Sequence, residues 1–124
     1  EKINLFAKAT NDFQWIHIDK KKAMDQSPFK NTIAHGYFTL SLLPMFTDEI
    51  WKCENISSVL NYGSDKIRFI SPVICGNKVR AKITLLSTQD HKEGVKVKSR
   101  VEVEIEGSNK LAMSAETLAL LFPQ

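Results

Sequence analysis

The stretch TIAHGYFTLSLLPMFTDEI, residues 32 to 50, decides the architecture. Ile33, Tyr37, Phe38, Leu40, Leu42, Leu43, Met45, Phe46 and Ile50 place apolar groups all round a helix, not along one stripe. A helix of that kind has to be covered on every side. Pro44 in its middle lacks an N–H and predicts a kink. Asn31 or Thr32 suits its N-cap. Its only carboxylates, Asp48 and Glu49, fall in the last turn.

The chain that follows supplies the cover. In GVKVKSRVEVEIEG, residues 94 to 107, Val95, Val97, Ser99, Val101, Val103 and Ile105 share one face. Lys96, Lys98, Arg100, Glu102, Glu104 and Glu106 share the other, which is the alternation of a strand with one dry and one wet side. Val79, Ala81, Ile83 and Leu85 alternate likewise. Asp90 to Gly94 and Gly107 to Asn109 read as turns, and a further strand covers roughly Leu111 to Phe122. The expectation is an α+β protein: one domain over residues 1–124, with an antiparallel sheet wrapped round a long central apolar helix.

Ahead of that helix, Ile3, Phe6, Ala7 and Thr10 follow the spacing of an amphipathic helix, and Asn11 suits its end. Asp19 reads as the N-cap of a short helix over Lys20 to Asp25, which Ser27-Pro28 closes. Between these helices lies NDFQWIHID, residues 11 to 19, a connecting loop pinned at both ends. It sets Asp12 five residues before His17, with Phe13, Trp15 and Ile16 among them. A carboxylate and an imidazole held in a partly dry place are the parts of proton-transfer chemistry. Local backbone capping by Asp12 and a satisfied, half-buried His17 are the plainer readings of the same residues.

Composition narrows the classes. The 124 residues carry a net charge of +3, with 43% hydrophobic and 25% charged residues, the balance of a soluble globular domain. No apolar run approaches the roughly 20 residues that span a bilayer, and no leader pattern is present, so no membrane partner is expected. Residue 1 already lies inside a helical pattern. Cys53 and Cys75 have no metal-like spacing and read as reduced thiols of a cytoplasmic protein. His17, His35 and His91 fit no ligand spacing either, so no metal is expected. His91, beside Asp90 in a charged turn, reads as solvent-exposed. Lys20, Lys21 and Lys22 form a solvated face or a landing site for phosphates or an acidic carrier. Nothing resembles a nucleic-acid module.

Together NDFQWIHID and TIAHGYFTLSLLP resemble the MaoC-like dehydratases, a hot-dog family that includes the (R)-specific enoyl-CoA hydratases. Asp12, His17 and Asp19 match that family's loop, Asp-x-x-x-x-His followed by Asp after one residue. Ile33, Ala34, His35 and Gly36 match its His-Gly helix opening. In KIRFISPVICGNKVRAK, residues 66 to 82, Arg68, Phe69, Pro72, Val73 and Gly76 match its Arg-Phe-x-x-Pro-Val-x-x-Gly strand in order. The wording is most similar to the nodulation protein N branch. Three departures stand out. Gln14-Trp15 replaces a common Asn-Pro, Pro44 replaces a serine of some hydratases, and the strand that usually precedes the first helix either is lacking or lies upstream of Glu1.

The resemblance implies reversible hydration of a trans-2-enoyl-CoA or enoyl-carrier thioester to the (R)-3-hydroxyacyl product, with no cofactor beyond that substrate. It implies that Asp12 and His17 hold the reacting water. Gly36 N–H binds the thioester oxygen, His35 supports the turn, and Phe13, Trp15 and Ile16 exclude bulk water. It further implies a homodimer with the acyl tunnel between protomers. A thioesterase is the alternative on the same fold, opposed by the lack of a mid-helix carboxylate. A non-catalytic acyl-thioester-binding subunit is the third.

Overall fold

The computed structural model describes residues 1–124. Helix α1 spans Lys2–Thr10 and ends at Asn11, whose backbone turns left-handed at φ 58°. An asparagine tolerates that conformation because its short polar side chain bonds locally. Trp15–Ile18 forms one helical turn, α2, where a loop was expected. The Asp19 carboxylate accepts the Lys22 N–H at 3.0 Å and so starts α3, Lys20–Gln26. Ser27, extended before Pro28, stops it.

The central helix begins later than its apolar run. Residues 32–34 are extended, because they pair with 73–75 as a short ladder: Ala34 N–H to Val73 O at 2.8 Å, and Cys75 N–H to Thr32 O at 2.9 Å. Asn31 instead takes the Thr32 N–H at 2.8 Å. The expected cap at Asn31 or Thr32 is therefore corrected to His35, which caps with no side-chain bond. The expected single long helix is two short ones, α4 (Gly36–Ser41) and α5 (Leu43–Ile50). They are separated at Leu42, where the chain adjusts to the missing N–H of Pro44.

Four antiparallel strands follow, β1 (Ile56–Phe69), β2 (Val79–His91), β3 (Gly94–Ile105) and β4 (Leu111–Pro123), in the order β1-β4-β3-β2. The alternation along β3 holds: Val97, Ser99, Val101, Val103 and Ile105 are buried. Val101, Val103 and Ile105 pack with Ala112, Met113 and Ala115 of β4 against Leu43 and Phe46 of α5, and that cluster is the core. Residues 70–78 leave the sheet and return to 32–34, so the two ends of the 66–82 stretch are strand and its middle is not. The turn after β2 is tight, with His91 paired to Gly94. Gly94 is needed there, since a Cβ would stand 2.6 Å from the Leu121 carbonyl oxygen.

Two burial expectations are corrected. The sheet covers the α4–α5 segment from one side, leaving Tyr37 70% exposed, with Met45 and Ile50 also exposed. His91 is half-buried, its ring edge-on to Tyr62 of β1 at 5.6 Å, a contact that only the sheet creates. No helix is long and apolar enough to cross a membrane.

Candidate active site

Asp12 follows the left-handed turn at Asn11 and is exposed; its Oδ1 accepts the Gln14 N–H at 3.3 Å. His17, in α2, is only 8% exposed. Its Nδ1 lies 2.8 Å from the Ile33 carbonyl oxygen. A carbonyl can only accept, so Nδ1 carries the proton and donates it. In the neutral ring, Nε2 is then a lone-pair base. Ile33 N–H donates back to Ile16 O at 3.0 Å, which clasps the His17 turn to the segment leading into α4.

That segment delivers His35, 2% exposed, whose Nε2 donates to the main-chain oxygen of Asp12 at 3.0 Å. The two imidazoles stack with centroids 3.9 Å apart and planes 25° apart. One polar atom from each of Asp12, His17 and His35 lies within 4.8 Å of the others. The fold thus brings together three site residues that the sequence separates by up to 23 positions. Two imidazoles and a carboxylate also have the composition of a cation site, which the sequence spacing concealed. Rings stacked face to face send their lone pairs side by side, not onto one point, so the arrangement suits proton handling better than coordination.

Burial holds the His17 imidazole below its ordinary pKa, and His35 adds to the lowering. The Ile33 carbonyl and the Asp12 carboxylate oppose it. His17 is therefore neutral, and basic at Nε2, around neutral pH.

Gly36 opens α4 and its N–H has no acceptor within the protein, as expected for the first helical residue. A Cβ at this position would stand 3.1 Å from the Phe69 ring. Glycine therefore leaves room for both the ring and an approaching oxygen. The expected apolar wall is placed differently. Phe13 is 52% exposed, Ile16 is half-buried, and Trp15 carries the Lys22 ammonium 4.9 Å over its ring. Cover comes instead from Phe6, 4.9 Å from the His35 ring and stacked on Phe38 at 5.3 Å. The apolar stripe of α1 announced that Phe6 packs somewhere; nothing in it named His35. A crevice of about 480 Å³ opens beside His17, lined also by Ile3, Asn4, Thr32 and Cys75.

Comparison with known proteins shows the family and the fold. Residues 1–106 match the family described as MaoC like domain. Over 119 residues the chain is 43% identical to a 3-hydroxyacyl-thioester dehydratase Z from Mycobacterium tuberculosis, covering 95% of this chain and 78% of the relative. It is 40% identical over 120 residues to nodulation protein N of Rhizobium meliloti, covering 95% and 74%. The solved (R)-hydratase of A. caviae superposes with a TM-score of 0.74 at 22% identity, covering 94% of this chain and 83% of that one. This structural likeness speaks for the fold.

Proposed function

Because this chain belongs to the MaoC-like domain family, whose hot-dog fold it has, we propose that Asp12 and His17 carry out its chemistry. The chain is a hydro-lyase of the 3-hydroxyacyl-thioester dehydratase kind. The observation that carries the residue assignment is the Nδ1–H bond of His17 to Ile33, which leaves Nε2 as the free base.

In the hydration direction, the Asp12 carboxylate and His17 Nε2 hold one water over the β-carbon of a trans-2-enoyl thioester. Nε2 takes a proton from that water as its oxygen bonds to the β-carbon, and the C=C electron pair moves toward the thioester oxygen. The Gly36 N–H, at the positive end of α4, bonds to that oxygen as charge develops. The imidazolium then returns a proton to the α-carbon on the same face. Water has been added syn, and His17 is neutral again. Dehydration is the reverse path. No metal or redox cofactor enters this sequence of steps, and the product assigned is the (R)-3-hydroxyacyl thioester on CoA or a carrier. Phe13, Trp15 and Ile16 take a place in the pocket once substrate and a second subunit cover them, with His35 supporting from behind.

The assembly proposed is a homodimer. β1 is an edge strand of 14 residues with Val59, Leu60, Tyr62 and Phe69 each about half exposed, a long apolar edge of the kind that pairs with another chain. Light scattering at twice the chain mass is the expected result, and a monomer would overturn it. The two unpaired cysteines suit a reducing, cytoplasmic setting.

Enoyl-thioester absorbance decides the reaction. Loss of ultraviolet absorbance on adding crotonyl-CoA or a longer trans-2-enoyl-CoA, without release of free thiol, is the expected outcome. Thiol release would make the protein a thioesterase. Binding without turnover would leave an acyl-thioester-binding subunit.

A further inference from the structure

We infer that His35 is a positioning residue that links the two halves of the dyad, holding Asp12 by its edge and His17 by its face. The inference rests on the dyad reading above for its rate effects, but the His35 tautomer it requires can be tested without substrate.

Three features carry it. The Nε2–H of His35 is committed to the main-chain oxygen of Asp12 at 3.0 Å, so the ring fixes where the carboxylate-bearing residue stands. Its face covers the His17 ring at 3.9 Å, which limits rotation of the base and keeps water off one side of it. Its remaining nitrogen, Nδ1, is buried and has no hydrogen-bond partner. Moving the ring hydrogen from Nε2 to Nδ1 would bury an unsatisfied donor and give up the bond to Asp12. The Nε2–H tautomer is therefore the one that satisfies the ring, and Phe6 packed on it holds it in place.

The charged and titratable groups around His17 are otherwise few. Asp12 precedes it, Asp19 and Lys20 follow it, and Glu1, which caps α1, and Cys75, in the loop after β1, line the crevice beside it. All of them remain when His35 is changed, so a shift on replacing His35 reports on that ring.

Two variants separate the two roles. His35→Phe keeps a ring over His17 but loses the bond to Asp12. It should lower kcat about tenfold, the size of one lost hydrogen bond, and move the acid limb of the rate–pH profile less than loss of the ring does. His35→Gln keeps an N–H donor but removes the ring. Water then reaches His17, and the acid limb should move up toward the ordinary histidine value near 6.5. An unmoved acid limb in a folded His35→Gln protein, or a wild-type kcat in His35→Phe, would overturn the inference. Should neither variant fold, long-range proton–nitrogen NMR of the wild-type imidazoles still decides. The neutral His35 ring is expected to be the Nε2–H tautomer bonded to the Asp12 carbonyl, and an Nδ1–H tautomer would refute the assignment.

Discussion

The sheet and the helical segment ahead of it bury opposite kinds of group. Val101, Val103, Ile105, Ala112, Met113 and Ala115 of β3 and β4 make up most of the apolar core, and Ser99 is the sheet's one fully buried polar residue. Before residue 50 the buried set includes His17, Ser27, Thr32, His35 and Thr39. Apolar burial scales with area and is indifferent to direction, so the sheet can be regular. Buried polar groups need partners at fixed distances, so the helical segment is short-jointed: two helices of one or two turns, an extended ladder and a broken central helix. The sheet holds the molecule together, and the helical segment carries the residues proposed to move protons.

That contrast is broken most directly by removing the base. His17→Ala should reduce hydratase turnover by about a thousandfold, and Asp12→Asn by a comparable factor, with the far-ultraviolet circular dichroism of the sheet retained. Steady-state rates on a trans-2-enoyl-CoA measure it. Near-normal turnover in both variants would remove chemistry from this segment and leave its buried polar groups as structure only.

The opposite cut is made in the core. Met113 has no solvent exposure and lies at the centre of the apolar cluster. Met113→Ala should cost about 3 kcal/mol of stability in urea denaturation, the usual size for a large buried side chain reduced to Ala. Turnover at a temperature where the variant is still folded should change little. A loss of activity larger than the loss of folded protein would show that the two regions are coupled.

What the sequence made legible follows the same line. The alternation in β3, the stop at Asn11, the cap at Asp19 and the break at Ser27-Pro28 are local signals, and each has its expected place in the structure. The partners of buried polar groups are not local. His17 finds Ile33 and His35, sixteen and eighteen residues on, and no periodicity marks either contact. His35 was placed by the family's His-Gly pattern, but its bond to the Asp12 carbonyl could not be read from it. The exposed side of the central helix escaped for a related reason. An apolar run says that cover is required, not that one sheet supplies only part of it. His91 failed in the other direction, since its charged neighbours in sequence are not its neighbour in space, Tyr62.

A third test uses pH. Burial lowers the pKa of His17 in the fold, so between that lowered value and the ordinary one near 6.5 the unfolded chain binds a proton that the folded one resists. The unfolded state holds more protons in that window, so stability rises with pH there. This contribution is present above about 6.5 and is lost as pH falls below it. Urea midpoints from pH 7.5 down to 5.5 should decline in the wild type, and the decline should be shallower in His17→Ala. Equal slopes would place the titrating group elsewhere.

The smallest expected effect sharpens the comparison most, because it matches one polar bond in each region. Asp19→Ala removes the cap of α3, a carboxylate bond to the Lys22 N–H at 3.0 Å, and should cost about 1 kcal/mol. Arg80→Ala removes an exposed pair between β2 and β3, with Arg80 Nε 2.7 Å from Glu104 Oε2, and should cost below about 0.5 kcal/mol. The difference in stability is slight, but the difference in consequence is not. Asp19 directly follows α2 and its N–H closes that turn on the Trp15 carbonyl at 3.0 Å, so a frayed α3 loosens the backbone that carries His17. Asp19→Ala should therefore lower kcat several-fold with little change in KM, whereas Arg80→Ala should leave both untouched. Equal kinetics in the two variants would mean that α2 keeps its shape without its cap, held by the Ile33 clasp alone.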